Sequence, residues 1–235
     1  MVYFRVMVKL ITVHIMNAST RQYVILGGLL LATIACQSAG PKTQQSTAQP
    51  MSPQIASSGL DTATFAGGCF WCTEALFQQL EGVDTVISGY IGGHVGNPTY
   101  RQVIRGNTGH AEAVNIIYDT EVLSYEELLE AFFMAHDPTQ LNRQGNDVGP
   151  QYRSAVFYHT EEEKRLAEFY IRRLKEEKVY AKPIVTRLEP YTTFYVAEDY
   201  HQNYFRLNPE QAYCQYVIVP KLEKFREVFA EKLKK

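Results

Sequence analysis

Several large classes of protein are closed to this sequence by what it lacks. Four cysteines, Cys36, Cys69, Cys72 and Cys214, are spread over 235 residues. That is too few for a disulfide scaffold, so catalytic, metal or redox use of the thiols is the better expectation. Excess charge is missing too: 23 Lys and Arg stand against 25 Asp and Glu, a formal net charge of -2. No basic surface for a polyanion follows, and nucleic acid is not an expected partner. With 46% hydrophobic and 20% charged residues, the composition is not that of a disordered chain. There is no internal repeat, no second C-x-x-C and no paired-His motif. His94, His110, His136 and His201 are scattered, so the C-x-x-C of Cys69 and Cys72 has no partner ligands at zinc spacing, and no metal is expected. Tryptophan occurs once, as Trp71, between those two cysteines.

What is present begins with a head. Residues 16–36 read MNASTRQYVILGGLLLATIAC, with one Arg, an apolar stretch, then small residues and a cysteine. This is a secretory signal pattern, too short to span a bilayer comfortably as a lasting helix. The ending LATIAC resembles a bacterial lipoprotein box, although Thr33 is a less typical residue in it. The resemblance implies lipidation of Cys36 as the first residue of the mature protein, and Gln37 behind it fits passage to the outer membrane rather than retention at the inner one. An ordinary cleaved signal or an uncleaved anchor are the alternatives. The expected location is therefore the cell envelope, as a periplasm-facing lipoprotein. Residues 1–15 read as an upstream translation extension. Residues 37–60, rich in Gln, Ser, Thr, Ala and Pro, read as a flexible linker, and residues 61–235 as one catalytic domain.

Within that domain the apolar spacing predicts strands over residues 62–67, 83–90, 111–118, 154–159 and 184–188. Helices are predicted over residues 70–80, 124–136, 160–178 and 222–234. Ser124 with Glu127, and Thr160 with Glu163, have the spacing of capping boxes. The expected architecture is α+β, a two-layer α/β sandwich with a mixed sheet and a ferredoxin-like core. Residues 92–109 and 137–152 are long aperiodic segments of the kind that carry function.

Cys69 falls at a strand-to-helix junction. A thiol at the first turn of a helix meets unpaired N–H groups and the positive end of the macrodipole, which favour the thiolate. The competing reading is a buried apolar cysteine. Cys69-Phe70-Trp71-Cys72 has thioredoxin-like spacing but lacks the usual Pro or Gly between the cysteines. Phe70 and Trp71 look instead like two walls of an apolar pocket.

The strings GGCFWCTEALF, SGYIGG, NPTYRQVIRGNTGHAEAV, HDPTQLNRQGNDVGPQYRSAVFY and AEDYHQNYF resemble the peptide methionine sulfoxide reductase A family, in the right order and over nearly all of the chain after the linker. The resemblance implies that Cys69 is the nucleophile attacking a sulfoxide sulfur and that Glu112 is the acid protonating its oxygen. It implies that Tyr100 and Tyr152 donate hydroxyls to that oxygen, that Asp147 organises the site, and that Phe70 and Trp71 cage the substrate methyl group. Cys214 resembles the recycling cysteine. Cys72, where most relatives carry Gly, is the departure: a resolver, a relay or a tolerated substitution, with Cys214 the preferred resolver. Tyr200 and His201 lie in a family motif without an assigned step. Expected partners are oxidised proteins, free methionine sulfoxide, and thioredoxin or an exported thioredoxin-like reductant. The resemblance implies a monomer that works without metal or bound cofactor. A lipoprotein that binds methionine-containing peptides without turnover, and a general C-x-x-C disulfide oxidoreductase, are the competing functions.

Overall fold

A computed structural model describes residues 59–235. Cys36, the signal-like residues and nearly all of the linker lie outside the described residues. The first strand, β1 (Leu60–Gly67), already includes the last residue assigned to the linker.

The order that follows is α1 (Phe70–Phe77), β2 (Val83–Ile91), α2 (Tyr100–Val103), β3 (Ala111–Asp119), α3 (Tyr125–Ala135), β4 (Arg143–Gln144) and β5 (Asp147–Val148). Then come β6 (Ser154–Tyr158), α4 (Glu161–Glu176), β7 (Arg187–Pro190), β8 (Tyr195–Val196), α5 (Tyr204–Leu207) and α6 (Val219–Val228). Six strands form one sheet in the order β7-β6-β1-β3-β2-β8, while β4 and β5 pair separately. The central strands β6-β1-β3-β2 are mutually antiparallel and joined through α1 and α3, which is a ferredoxin-like β-α-β-β-α-β core. Parallel pairing of β7 on β6 makes the sheet mixed.

Successive residues of a strand point to opposite faces, and β1 uses both. Phe65 faces the helices: its ring lies 5.8 Å from Phe77 of α1 and 4.8 Å from Phe132 of α3. Ala66 faces the other way, into a smaller apolar layer with Ile91, Ala111, Ala113, Ala155 and Phe157, covered by Tyr191 and Phe194. Burial of side chains as large as Phe65 and Phe132 contributes about 1.5–3 kcal/mol each, enough to pin α1 and α3 to one face.

Helix α3 starts as its capping box requires, with Ser124 Oγ accepting from Glu127 N–H and Glu127 accepting from Ser124 N–H. For α4 only half of the box forms. Thr160 Oγ1 caps Glu163 N–H at 3.1 Å, but the Glu163 carboxylate reaches His159 N–H at 2.6 Å instead of Thr160. The strand expected over residues 184–188 lies later, at Arg187–Pro190, because it is the parallel register with Ala155–Tyr158 that defines it. The last helix starts earlier than expected, at Val219, and ends at Val228 short of the expected residue 234. It is preceded by a π-helical turn, Cys214–Ile218.

Candidate active site

Strand β1 ends at Gly67, and Gly68 turns the chain with φ 97°, a left-handed conformation that favours glycine. A Cβ on Gly68 would stand 2.6 Å from Gln144 Cβ. Gln144 is not free to yield, since its amide exchanges hydrogen bonds with the Asp137 backbone. Gly68→Ala is therefore expected to lose on the order of 2 kcal/mol or more of stability and to displace Cys69, with urea denaturation and the activity assay as measurements.

The turn delivers Cys69 to the N-cap of α1, where its carbonyl accepts from Cys72 N–H at 3.1 Å. The N–H of Phe70, the first unpaired donor of the helix, is taken by Glu112 Oε2 at 3.1 Å. Glu112 is 1% exposed, on β3, two strands away in sequence but adjacent in the sheet. Burial pushes its carboxyl up to about 8, the Phe70 N–H opposing and Asp147 and Cys72 adding to the rise. The acid expected from the resemblance is thus an enclosed carboxyl that holds its proton at neutral pH.

The thiolate expected at Cys69 from the helix terminus is not what this environment favours. Burial, a hydrogen bond with the Cys72 thiol, and the charges of Cys72 and Glu112 hold the Cys69 thiol well above the usual range. The carboxyl, not the sulfur, occupies the first donor of the helix. Cys72 goes the other way, lowered to about 7 by the hydrogen bond from Cys69, with Lys221 assisting against burial. The two thiols share one ionisation: the first charge is eased onto the pair and the second is resisted.

Cys214, preferred from the motif as the resolver, is fully buried at the start of the π-helical turn. Its thiol is raised by burial and then by Cys72; Cys69 is not among the causes. Its neighbour Tyr213 enters the site instead, donating to Asp147 Oδ2 at 2.7 Å and standing 3.7 Å from Cys72 Sγ. Asp147 is held on the β4–β5 hairpin, where the sequence reading had only an aperiodic segment.

Tyr100 and Tyr152 come to the same place from α2 and from the 3-10 turn Pro150–Tyr152. Both phenols are raised far above the ordinary range by burial, with Glu112 next and Cys69 also contributing. They remain hydroxyl donors at any physiological pH. Arg153, 4% exposed, fixes the Tyr152 turn by pairing with Glu189 at 3.1 Å and donating to the carbonyls of Gly109 and Pro150. Phe70 is buried among Tyr90, Trp71 and His201, whereas Trp71 is half-buried and stacks on Tyr204 at 3.6 Å.

Sequence reasoning missed four contributors: Tyr213, Tyr204, Glu198 and Tyr90. Glu198 accepts both Tyr90 Oη–H and Tyr100 N–H at 2.8 Å. The signal for Glu198 and Tyr204 was their place in AEDYHQNYF, and for Tyr90 its place in SGYIGG; nothing local marks Tyr213, which matters only through partners far along the chain.

A ferredoxin-like sheet that closes paired thiols and an undissociated carboxyl away from water defines a class of protein, the thiol-dependent oxidoreductases. Comparison with known proteins narrows it. The family model described as peptide methionine sulfoxide reductase matches residues 61–233, and the chain belongs to that family. Peptide methionine sulfoxide reductase MsrA of Natronomonas pharaonis is 59% identical over 172 residues, 73% of this chain and 97% of that protein. The MsrA of Deinococcus radiodurans is 55% identical over 192 residues, 82% of this chain and 92% of that protein. Among solved structures, reduced Mxr1 from Saccharomyces cerevisiae matches with a TM-score of 0.60 and 34% identity, covering 66% of this chain and 89% of that one. Methionine sulfoxide reductase A of Corynebacterium diphtheriae matches with a TM-score of 0.58 and 36% identity, covering 66% and 78%.

Proposed function

We propose that this protein reduces the S epimer of methionine sulfoxide, free or in proteins, to methionine, and so repairs oxidised proteins. The observation that carries the reading is the Glu112 carboxyl, seated on the amide next to Cys69 and kept protonated by burial. A sulfoxide sulfur is only weakly electrophilic until its oxygen takes a proton, and Glu112 supplies that proton as the Cys69 sulfur attacks. Tyr100 and Tyr152 steady the oxygen, and Phe70 and Trp71 hold the methyl group. The oxygen leaves on Cys69 as a sulfenic acid and methionine departs.

A second thiol then displaces that oxygen as water and forms a disulfide. We take Cys72 as the thiol that attacks first, supported by its hydrogen bond to Cys69 and its lowered pKa. Cys214 receives the disulfide by exchange; its support is the family motif and its coupling to Cys72. A thioredoxin-like dithiol outside the cytoplasm reopens the bond. Peptide mass mapping of protein oxidised by one equivalent of methionine sulfoxide should yield Cys69–Cys72 first. A Cys69–Cys214 bond without it would restore Cys214 as the direct resolver.

The enzymatic reading is tested with dithiothreitol and the separate epimers; equal turnover of both, or none of either, would sink it. Disulfide reduction of insulin without sulfoxide turnover would favour a general oxidoreductase. Export and anchoring at Cys36 are part of the same proposal, supported by the signal and the LATIAC box. The mass of the mature N-terminus from membranes decides between acylated Cys36 and a retained Met1.

A further inference from the structure

Trp71 has one polar atom, the indole N–H, which can only donate. It donates to His201 Nδ1 at 3.1 Å. That bond dictates the state of the imidazole: Nδ1 must be bare, so the neutral ring carries its proton on Nε2. His201 is 1% exposed, and its Nε2 has no hydrogen-bond partner. The nearest carboxylate oxygen, Glu198 Oε2, is 4.0 Å away and already engaged by Tyr90. A buried donor left unsatisfied is costly, and the ring is kept there by what else it touches. Its centroid lies 5.1 Å from Phe70 and 4.4 Å from Tyr100. One imidazole thus contacts both aromatic walls and a hydroxyl donor of the sulfoxide site.

The segment carrying His201 is itself clamped to α1. Asn203, in the left-handed region at φ 55°, gives its N–H to Glu74 Oε1 at 2.9 Å and accepts from Gln78 Nε2 at 3.0 Å. Tyr204 follows and covers one face of the indole. Trp71 is therefore held on its face by stacking and at its edge by His201.

We infer that His201 is a positioning residue for the sulfoxide pocket: as a neutral acceptor of the Trp71 indole N–H it sets the angle of the wall that holds the substrate methyl group. The inference rests on the reading of the site given above. It has a pH consequence of definite sign. A second proton on the ring can only go to Nδ1, where it would confront the indole N–H with another donor. Facing the ring are Glu198 and Tyr200 from its own segment, Tyr100 from α2, and Phe70 and Trp71 from α1. Burial lowers the His201 pKa and Glu198 opposes that. The bond is intact at neutral pH and is lost as pH falls through the lowered value.

Because Trp71 is the sole tryptophan, its emission reports this contact directly. The experiment compares wild type, His201→Asn and His201→Leu as full chains, after circular dichroism has shown each to be folded. Asn offers an amide oxygen near the place of Nδ1; Leu offers none. His201→Leu should shift the emission maximum and raise KM for methionine sulfoxide on the order of tenfold with a smaller effect on kcat, the size of one lost hydrogen bond. His201→Asn should recover most of both. The wild-type emission should show a transition below the ordinary histidine range, distinct from those of Cys72 and Glu112 at about 7 and 8, and that transition should vanish in His201→Asn. Wild-type emission and KM in His201→Leu, or an Asn variant as impaired as Leu, would overturn the inference. If His201→Leu does not fold, the Asn variant and the wild-type titration still decide. Absence of any turnover by wild type defeats the parent reading and the kinetic half with it, while the emission decides the bond independently.

Discussion

Cys69→Ser is expected to abolish sulfoxide turnover entirely while leaving the fold intact. A serine oxygen cannot do what the sulfur does here. Accepting the sulfoxide oxygen would turn a hydroxyl into a peroxide, whereas a thiol becomes a sulfenic acid that a second thiol can reduce. Activation is also unavailable, because burial already resists charge on the more acidic thiol at this position. Since Cys69 is 7% exposed and caps α1 through its carbonyl rather than its side chain, the replacement should cost little stability. The dithiothreitol-driven assay, read beside a thermal melt, checks both halves. Turnover at even a few per cent of wild type in a verified serine variant would move the chemistry to Cys72.

Glu112→Gln is expected to lower kcat by about 10²–10⁴-fold, the usual worth of a positioned general acid. The amide still fills the space and can still accept from Phe70 N–H, but it has no proton to give. Wild-type activity should fall as pH rises through about 8, where Glu112 ionises, and the variant should lack that limb. Stability should fall over the same rise in pH. A carboxyl whose folded pKa is raised favours the fold below its unfolded pKa, near 4.5, and that contribution is lost as pH rises to about 8. Above that window a neutral glutamine should be more stable by on the order of 1–3 kcal/mol, a cost of function relieved by losing it. Urea titrations of both proteins at pH 5 and pH 9 give the comparison; an unchanged difference between the two would show that folding does not raise the Glu112 pKa.

Disulfide mapping and the His201 variants probe parts of the site that local sequence does not describe. The central strands were legible because their side chains alternate between two buried layers, and α3 because its cap and apolar stripe are local. β8 and the β4–β5 hairpin were not, since two residues carry no period; β8 exists only because Gly89 and Tyr90 of β2 pair with it. The half-formed box at Thr160 shows the same limit in miniature. Spacing permitted two hydrogen bonds, and the chain entering the helix offered Glu163 a closer donor at His159.

Motif alone pointed to the family and to Cys69 and Glu112 as candidate nucleophile and candidate acid, because five dispersed strings stand in a specific order. Ionisation and partnership were decided in three dimensions. Glu112 is 43 positions from Cys69, and only the antiparallel β1–β3–β2 sheet sets it against the first amide of α1. Burial there raises the carboxyl and the Cys69 thiol together, while Cys72, one helical turn on, takes the easier charge. A helix terminus read in isolation promised a thiolate; desolvation and an occupied amide outweighed it, and neither is a property of any local stretch of sequence.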